Sequence, residues 1–202
     1  IMQFVSRPSW CLNMMTAKKL NFGNIMGHVT NVTNLSSLAS WTADQFDPTL
    51  TWEDIAWIKD RWKGKLILKG IMDSEDAMLA VKAGADAIII SNHGGRQLDG
   101  APSTISVLPE IVDAVNSKVE VHFDGGVRSG QDVLKALALG ADCIHIGRPY
   151  VYGLGAKGQE GVEIAIEIIK KELDLTMAMC GETNISNVGL HNLHHNPFKI
   201  IN

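Results

Sequence analysis

Apolar and polar positions follow a regular order from Thr51 onward, where short apolar runs alternate with longer segments of helical period. In the first such segment, TWEDIAWIKDRWKG, the apolar residues Ile55, Ile58 and Trp62 recur on one face. Thr51 is a candidate N-cap and Gly64 a candidate stop, so the segment predicts a helix. The apolar run LILK follows it and predicts a strand.

The same alternation continues along the chain. The runs AIIIS, VEVHF and CIHI predict three more strands, and DSEDAMLAVKAG, STISVLPEIVDAVN, SGQDVLKALALG and a stretch from about residue 161 to 179 predict helices. Four short strands, each followed by a helix, predict an α/β fold with a parallel sheet, either half of a (β/α)8 barrel or an open doubly wound sheet. AVKAGADAIIIS and ALALGADCIHIG place Gly84 and Gly140 in equivalent positions, which favours the barrel, although GAD is also a common helix-to-strand turn.

Residues 1–50 lack this order, because they have no clear period and contain several Asn, Ser and Thr residues. We expect a long irregular loop segment there, and the second region, 51–202, to hold the regular fold. All five tryptophans lie in the first 62 residues. They indicate a surface that meets a membrane or a partner, or equally a segment that packs onto the rest of the protein.

Composition narrows the class of protein. The chain has 202 residues, of which 46% are hydrophobic and 20% charged, which is typical of a soluble globular domain. The net charge of −4, with no long basic run, does not favour a nucleic-acid partner. Cys11, Cys143 and Cys180 are widely spaced and odd in number, which fits a reducing compartment. No apolar stretch approaches the roughly 18 residues of a membrane-spanning helix.

The residues that follow the apolar runs are the candidates for chemistry, because active sites of α/β folds lie at the carboxyl ends of the strands. Lys69, which ends LILK, could neutralise charge that develops on a ligand, or could be a salt-bridged surface lysine. In SNHGGRQLDG, His93 is a candidate general base and Arg96 a candidate bidentate clamp for a carboxylate. Gly94 and Gly95 allow close approach of the backbone to a ligand.

Two later loops combine glycine with arginine. DGGVRSG, residues 124–130, and GRP, residues 147–149, each precede a helix whose free N–H groups favour an anion, and together they match the phosphate site that barrels build after their last two strands. A tight turn and a helix start are the alternatives. His122 and His145 lie inside strand runs and predict packing or hydrogen bonding. We expect a solvated tail for His191, His194 and His195, and no metal site.

In this order, SNHGGRQLDG, DGGVRSG and GADCIHIGRP resemble the FMN-dependent α-hydroxy acid dehydrogenase family, which includes glycolate oxidase, L-lactate dehydrogenase and mandelate dehydrogenase. The resemblance implies strands five to eight of the family's (β/α)8 barrel. It implies His93 as the active-site base and Arg96 as the substrate carboxylate clamp, with FMN as cofactor. The residues implied to hold the FMN are Lys69 and Ser91 at the flavin, Asp124 at the ribityl chain, and Gly125, Gly126, Arg128, Gly147 and Arg148 at the phosphate.

The implied reaction is oxidation of an L-2-hydroxy acid to a 2-keto acid. RPSW and NFGNI, before Thr51, resemble the loop after the fourth strand in the membrane-associated members, which directs the expectation to L-lactate, with glycolate or mandelate as alternatives. A quinone or oxygen is the expected electron acceptor. The expected location is the cytoplasm or the inner face of the cell membrane, with MMTAKKL as a short amphipathic contact, and the family implies a homo-oligomer.

The strands expected from the first half of such a barrel do not occur in the 202 residues, so we expect a fragment with little or no turnover by itself. Other phosphate-binding barrels, such as isopentenyl diphosphate isomerase, are the nearest alternative, and Arg96 beside His93 argues instead for a carboxylate substrate. A half-barrel that binds flavin or phosphate without catalysis is the alternative from a different class.

Overall fold

A computed structural model describes residues 6–16, 25, 29, 35–45 and 47–194 of the protein. Residues 17–20 of MMTAKKL, residues 21–24 of NFGNI and His195 of the tail lie outside the described residues. The chain divides into two compact units, Ile1–Leu50 and Thr51–Asn202.

The first unit contains two short helices in its described part, α1 (Pro8–Thr16) and α2 (Leu35–Asp44). The expectation of an irregular segment therefore needs correction at these two places. The period of α1 and α2 was not visible because a helix is recognised in sequence by a buried apolar face. α1 has no buried residue, and in α2 Leu38 is the buried apolar side chain. Pro8 opens α1, a position where its missing N–H costs no helical hydrogen bond.

The second unit alternates helices and strands, as the pattern predicts. Its elements are α3 (Trp52–Arg61), β1 (Ile67–Ile71), α4 (Ser74–Lys82), β2 (Ala87–Ile90), α5 (Thr104–Val115), β3 (Glu120–Phe123), α6 (Gly130–Ala138), β4 (Cys143–Ile144), α7 (Arg148–Lys157) and α8 (Gln159–Met179), followed by two 3-10 turns, Ile185–Asn187 and Leu190–Asn192. The four strands form one parallel sheet in the order β1-β2-β3-β4. A doubly wound sheet reverses its strand order at a switch point, and this sheet does not, so the order is that of successive barrel strands.

Alternate side chains of the strands face opposite sides of the sheet. Ile88 and Ile90 of β2, and Val121 and Phe123 of β3, belong to the buried core that the helices cover. The opposite face carries a row of paired positions across the four strands: Lys69, Ile89, His122 and Cys143. The helices therefore stabilise one face, and the other face carries polar side chains.

The repeated GAD sequence forms the same turn twice. After α4, the N–H of Gly84 donates to the carbonyl of Val81 and that of Ala85 to the carbonyl of Ala80, and after α6 the N–H groups of Gly140 and Ala141 make the equivalent bonds. Both glycines have positive φ, 83° and 100°. The internal repeat predicted from sequence is therefore a structural repeat.

Several element boundaries differ from the predicted ones. The β4 strand ends at Ile144, so His145 lies just beyond the strand that CIHI predicts. The α3 helix begins after Thr51, as expected, but ends at Arg61, before the predicted stop at Gly64. The β1 strand continues beyond Lys69 to Ile71 because the pairing with β2 shifts at Gly70, a bulge that LILK does not signal. The GRP loop enters a separate helix, α7, whose two glycines and exposed side chains give it no apolar period.

Candidate active site

The carboxyl ends of the strands surround one open cavity of about 570 Å³, a size typical of cofactor and substrate sites. Nine predicted site residues line it: Lys69, His93, Arg96, Asp124, Gly125, Gly126, Arg128, Gly147 and Arg148. The tenth, Ser91, does not line it, but its hydroxyl oxygen accepts a hydrogen bond from Lys69. The structure thus brings together a residue of β1 and the loops that follow β2, β3 and β4.

The loop after β2 has an unusual backbone. His93, Gly94 and Gly95 have φ values of 56°, 68° and 72°, so three successive residues adopt the left-handed conformation. A residue other than glycine, such as His93, rarely adopts this backbone conformation. Backbone strain of this kind occurs often at functional sites. Two bonds hold the turn: the N–H of His93 donates to Ser91 Oγ at 3.2 Å, and the N–H of Gly95 donates to the Asn92 carbonyl at 3.0 Å.

Ser91 connects this turn to two charged groups. Its hydroxyl oxygen, in a residue that is 1% exposed, accepts a hydrogen bond from Lys69 Nζ at 2.7 Å as well as from His93. Lys69 Nζ also pairs with Asp124 Oδ2 at 3.1 Å. Asp124 is in turn fixed by its backbone N–H, which donates to the carbonyl of Ile90. The chain of contacts from Asp124 through Lys69 and Ser91 to His93 therefore joins β1 to the loops after β2 and β3, and it fixes the position of the ammonium group.

Two further contacts fix the imidazole and the loop that carries it. The His93 ring lies against Gly70, where an added Cβ would be 3.1 Å from Cε1 of the imidazole. Arg148 Nη2 donates to the carbonyl of Gly94 at 2.9 Å. The Gly/Arg loop after β4 is therefore bonded directly to the histidine loop after β2.

The loop after β3 has room only for glycine at its first glycine position. Gly125 has φ 102°, and an added Cβ would lie 2.5 Å from Thr104 Oγ1, whose hydroxyl donates to the Gly125 carbonyl at 3.4 Å. The N–H groups of Arg128 and Ser129 both donate to Asp132 Oδ2, which orders the start of α6. The arginine backbone is thus held while its side chain lines the cavity.

The cavity is rich in cations. Lys69, Arg96, Arg128 and Arg148 line it, against one carboxylate, Asp124. In the described part of the chain, none of the ion pairs involves the three arginines. Guanidinium groups that lack a carboxylate partner in a concave site favour phosphate or carboxylate ligands. The cavity can therefore hold more than one anionic group.

Sequence reasoning missed one lining residue with chemistry, His145. The predicted hydrogen bonding is present, because His145 Nε2 and His122 Nδ1 are 3.1 Å apart. Burial lowers the pKa of His145 below its ordinary value, and the neighbouring His122 lowers it further. His145 lies two residues beyond Cys143, and this alternation could have indicated that it faces the same side as Lys69.

Cations without carboxylate partners at the carboxyl end of a parallel sheet are typical of β/α enzymes that hold a phosphate-bearing cofactor. Sequence comparison identifies the class more narrowly. The chain belongs to the FMN-dependent dehydrogenase family, which matches residues 1–195. The predicted family and its cofactor, FMN, are confirmed at this level.

Individual relatives agree with the family. The chain is 42% identical over 194 residues to an L-lactate dehydrogenase of Vibrio cholerae serotype O1, covering 96% of this chain and 51% of that protein. It is 44% identical over 189 residues to an L-lactate dehydrogenase of Pseudomonas syringae pv. syringae, covering 93% and 50%. The chain thus spans about half the length of the curated relatives it matches.

Solved structures show the same fold. A structure described as the monotopic membrane protein (S)-mandelate dehydrogenase has a TM-score of 0.82 and 35% identity, with 93% of this chain and 49% of that chain covered. A mandelate oxidase structure has a TM-score of 0.72 and 46% identity, covering 77% and 45%. The predicted α/β barrel fold, present here as part of a barrel, is therefore confirmed.

The cavity fits FMN by its own chemistry. The two Gly/Arg loops offer backbone N–H groups and two guanidinium groups, the donors that a phosphate monoester requires. Lys69 offers a cation at a separate place on the wall, fixed by Asp124 and Ser91. The close contact between Gly125 and Thr104 leaves no space for a side chain at the base of the DGG loop.

Proposed function

We propose that the protein to which this chain belongs oxidises an L-2-hydroxy acid to the 2-keto acid, with L-lactate as substrate and pyruvate as product. One observation carries the proposal: His93 and Arg96 lie on one strained loop at the wall of a cavity rich in cations. A base and a bidentate carboxylate clamp three residues apart match the two functional groups of a 2-hydroxy acid.

In this proposal Arg96 binds the substrate carboxylate and so orients the α-carbon and its hydroxyl. His93 accepts one proton from the substrate, and the same base and clamp serve whether that proton leaves the α-carbon or the hydroxyl. FMN, when bound, supplies the acceptor for the two electrons that the substrate loses. The left-handed turn and the contact with Gly70 hold the His93 imidazole at the cavity wall while the proton moves.

Lys69 has an electrostatic role in the proposed reaction. Its ammonium lies 2.7 Å from Ser91 Oγ and 3.1 Å from Asp124 Oδ2, so its place is fixed before any ligand enters. A cation fixed in advance stabilises negative charge that develops on a bound group without reorganisation. Ser91, which does not line the cavity, is proposed to act on the flavin through Lys69.

L-lactate is the proposed substrate because the relatives named L-lactate dehydrogenase are 42–44% identical to the chain over 93–96% of its length. Mandelate is the leading competitor, since mandelate oxidase structures are up to 46% identical over the part they cover. Glycolate is the third candidate substrate.

The test uses the full-length protein reconstituted with FMN under anaerobic conditions. Bleaching of the flavin absorbance is followed after addition of L-lactate, D-lactate, L-mandelate and glycolate. We expect L-lactate to bleach the flavin fastest and D-lactate to be at least 100-fold slower, because the clamp and the base fix one enantiomer, a difference of about 2.7 kcal/mol. Bleaching by L-mandelate alone would make L-mandelate the substrate and leave the proposed reaction unchanged. No bleaching by any acid in the panel would reject the proposal.

We also propose a quinone as the electron acceptor, with oxygen as the alternative, and a peripheral contact with the inner face of the cell membrane. No helix in the described ranges is both long and apolar enough to cross a bilayer. Support for a peripheral contact comes from the similar structure described as a monotopic membrane protein, and from α1, which exposes Leu12 and Met15. Sedimentation with lipid vesicles, compared between the protein and a Leu12→Ser, Met15→Ser variant, tests it.

A homo-oligomer remains a proposal for the full-length protein. Its support is the family resemblance, because the exposure of apolar side chains on α7 and α8 is that of a chain spanning about half the length of its relatives. Sedimentation velocity at several protein concentrations measures the state. A single monomeric species at all of them would reject the oligomer.

A further inference from the structure

Three side chains with metal-binding atoms meet on the sheet face opposite the helices. The β3–β4 register pairs His122 with Cys143, so these two residues lie side by side on neighbouring strands. His145 follows Cys143 by two residues and returns to the same face. No step of the proposed reaction uses this cluster. His145 also lines the cavity proposed to hold FMN, whereas His122 and Cys143 do not.

The distances between these atoms are close to those of a metal site. One donor atom from each of His122, Cys143 and His145 lies within 4.8 Å of the other two. His122 Nδ1 and His145 Nε2 are 3.1 Å apart, and the ring centroids are 5.2 Å apart. Tetrahedral ligands at Zn–N and Zn–S distances of about 2.0–2.3 Å stand about 3.3–3.8 Å from one another. The separation of the two imidazole nitrogens lies slightly below this range, and the three atoms all lie within 4.8 Å, so the side chains would have to rotate to hold a cation between them.

A carboxylate orients one of the two imidazoles. Glu120 Oε2 lies 3.2 Å from His122 Nε2, on the side of the ring away from His145. A carboxylate that accepts the N–H of Nε2 leaves the lone pair of Nδ1 directed at the cluster, which is the arrangement usual for metal-binding histidines. Glu120 also supplies negative charge beside a cation. His122 is thus held in the tautomer whose Nδ1 can bind a metal ion.

We propose that His122, Cys143 and His145 form a binding site for a divalent cation of the Zn²⁺ class. Two imidazole nitrogens and a thiolate suit Zn²⁺ and disfavour Mg²⁺ and Ca²⁺, which prefer oxygen ligands. Three protein ligands leave a fourth position for water. Cys143 and His145 are partly exposed and His122 is 8% exposed in this chain, which spans about half the length of its relatives.

The test measures the zinc content of the full-length protein. Zinc is supplied during expression in one preparation and to the purified protein in another, and dialysis then removes weakly bound zinc. We expect about one equivalent per chain, and saturable binding in a Zn²⁺ titration. His122→Gln and Cys143→Ser should each weaken the binding by more than 100-fold. Glu120→Gln should weaken it by about 10- to 100-fold, because it removes only the orienting carboxylate.

Controls separate this site from other thiols and imidazoles. Cys180→Ser and His191→Asn alter an exposed cysteine and a histidine bonded to Glu182, both outside the cluster, and should leave the zinc content unchanged. Retained FMN binding and an unchanged circular dichroism spectrum check that each cluster variant folds. Co²⁺ in place of Zn²⁺ gives a thiolate-to-metal charge-transfer band that should disappear in Cys143→Ser.

Two results would overturn the proposal. One is the absence of saturable zinc binding by either route, which would leave the cluster as a hydrogen-bonded histidine pair. The other is undiminished binding in Cys143→Ser or His122→Gln with correctly folded protein. Because zinc content is read without substrate and with FMN either present or removed, the result is independent of whether the proposed L-lactate oxidation holds.

Discussion

The two edges of the sheet treat charge in opposite ways. At the amino edge, Asp86 accepts from the N–H of Leu66 at 2.9 Å and Asp142 from the N–H of Val121 at 2.8 Å, so the same carboxylate bridge to the preceding strand occurs twice. At the carboxyl edge, the three arginines of the cavity have no carboxylate partner within the described ranges. Charge that is satisfied internally stabilises the fold, and charge left without a counter-ion is available to ligands.

The amino edge also concentrates its ion pairs. Lys59 and Lys65 both bond to the Asp86 carboxylate. The hydrogen bond from Lys59 is the largest of the effects that hold the pKa of Asp86 well below its ordinary range, followed by the bond from the N–H of Leu66. By contrast, Lys69 at the carboxyl edge divides its ammonium between Asp124 and the neutral Ser91 hydroxyl. We therefore expect changes at the two edges to affect different measurements.

The largest effect is expected from His93→Ala at the carboxyl edge. Removal of the base should lower the rate of flavin reduction by the substrate by about 10²- to 10⁴-fold, the usual contribution of a positioned acid or base. The FMN content and the unfolding midpoint should stay near those of the unchanged protein, since the ring contacts Gly70 without supporting the core. Anaerobic stopped-flow absorbance measures the rate. His191→Asn is the matched control, and activity retained in His93→Ala would remove His93 from the base role.

Arg96→Lys and Arg128→Lys separate two kinds of anion site within the same edge. Lysine keeps the positive charge and loses the bidentate fork of the guanidinium group. Arg96→Lys should therefore raise the KM for the hydroxy acid by roughly 10- to 100-fold. This range corresponds to the loss of one hydrogen bond to a charged group, about 1.5–3 kcal/mol. Arg128→Lys should instead weaken FMN binding and leave that KM unchanged. Steady-state kinetics and flavin fluorescence titration measure the two effects. An equal effect of both variants on KM would contradict the division of the cavity.

Much of this arrangement could be predicted because parallel strands leave local signals. The apolar runs, the GAD turns and the glycine-rich loops each depend on a few neighbouring residues, so they are visible in sequence. The bond from Arg148 to Gly94 and the meeting of His122 with His145 depend on strand register and loop path, which long-range packing determines. The helices α1 and α2 escaped detection because they bury almost no apolar face.

At the amino edge, Asp86→Asn should lower stability and leave the kinetics of the folded protein unchanged. The folded pKa of Asp86 is lowered, so its stabilising contribution is complete above the unfolded value of about 4 and is lost as the pH falls below it. The difference in urea unfolding midpoint between the unchanged protein and Asp86→Asn should therefore be constant from pH 7 to pH 5 and shrink below pH 4. A difference that grows as the pH falls would contradict the assigned direction.

The smallest effect comes from a matched pair of glycines, one at each edge. Gly84 and Gly126 have nearly the same φ, 83° and 84°. An added Cβ at Gly84 would meet Lys59 Cγ at 3.9 Å, and one at Gly126 would meet nothing within 4 Å. Alanine at either position therefore brings the same backbone strain of about 1–2 kcal/mol and no collision. In the FMN-bound protein, the two substitutions should lower the unfolding free energy by similar amounts.

Their effects on FMN should differ, because only Gly126 lies in a loop of the cavity. If the Gly126→Ala loop relaxes to relieve its strain, FMN binding has to restore the left-handed turn, and the dissociation constant should rise by about 5- to 30-fold for 1–2 kcal/mol. Gly84→Ala should leave that constant unchanged, as judged by flavin fluorescence titration. An equal loss of FMN affinity in both variants would mean that stability at the amino edge controls the cofactor site, and the separation between the two edges would fail.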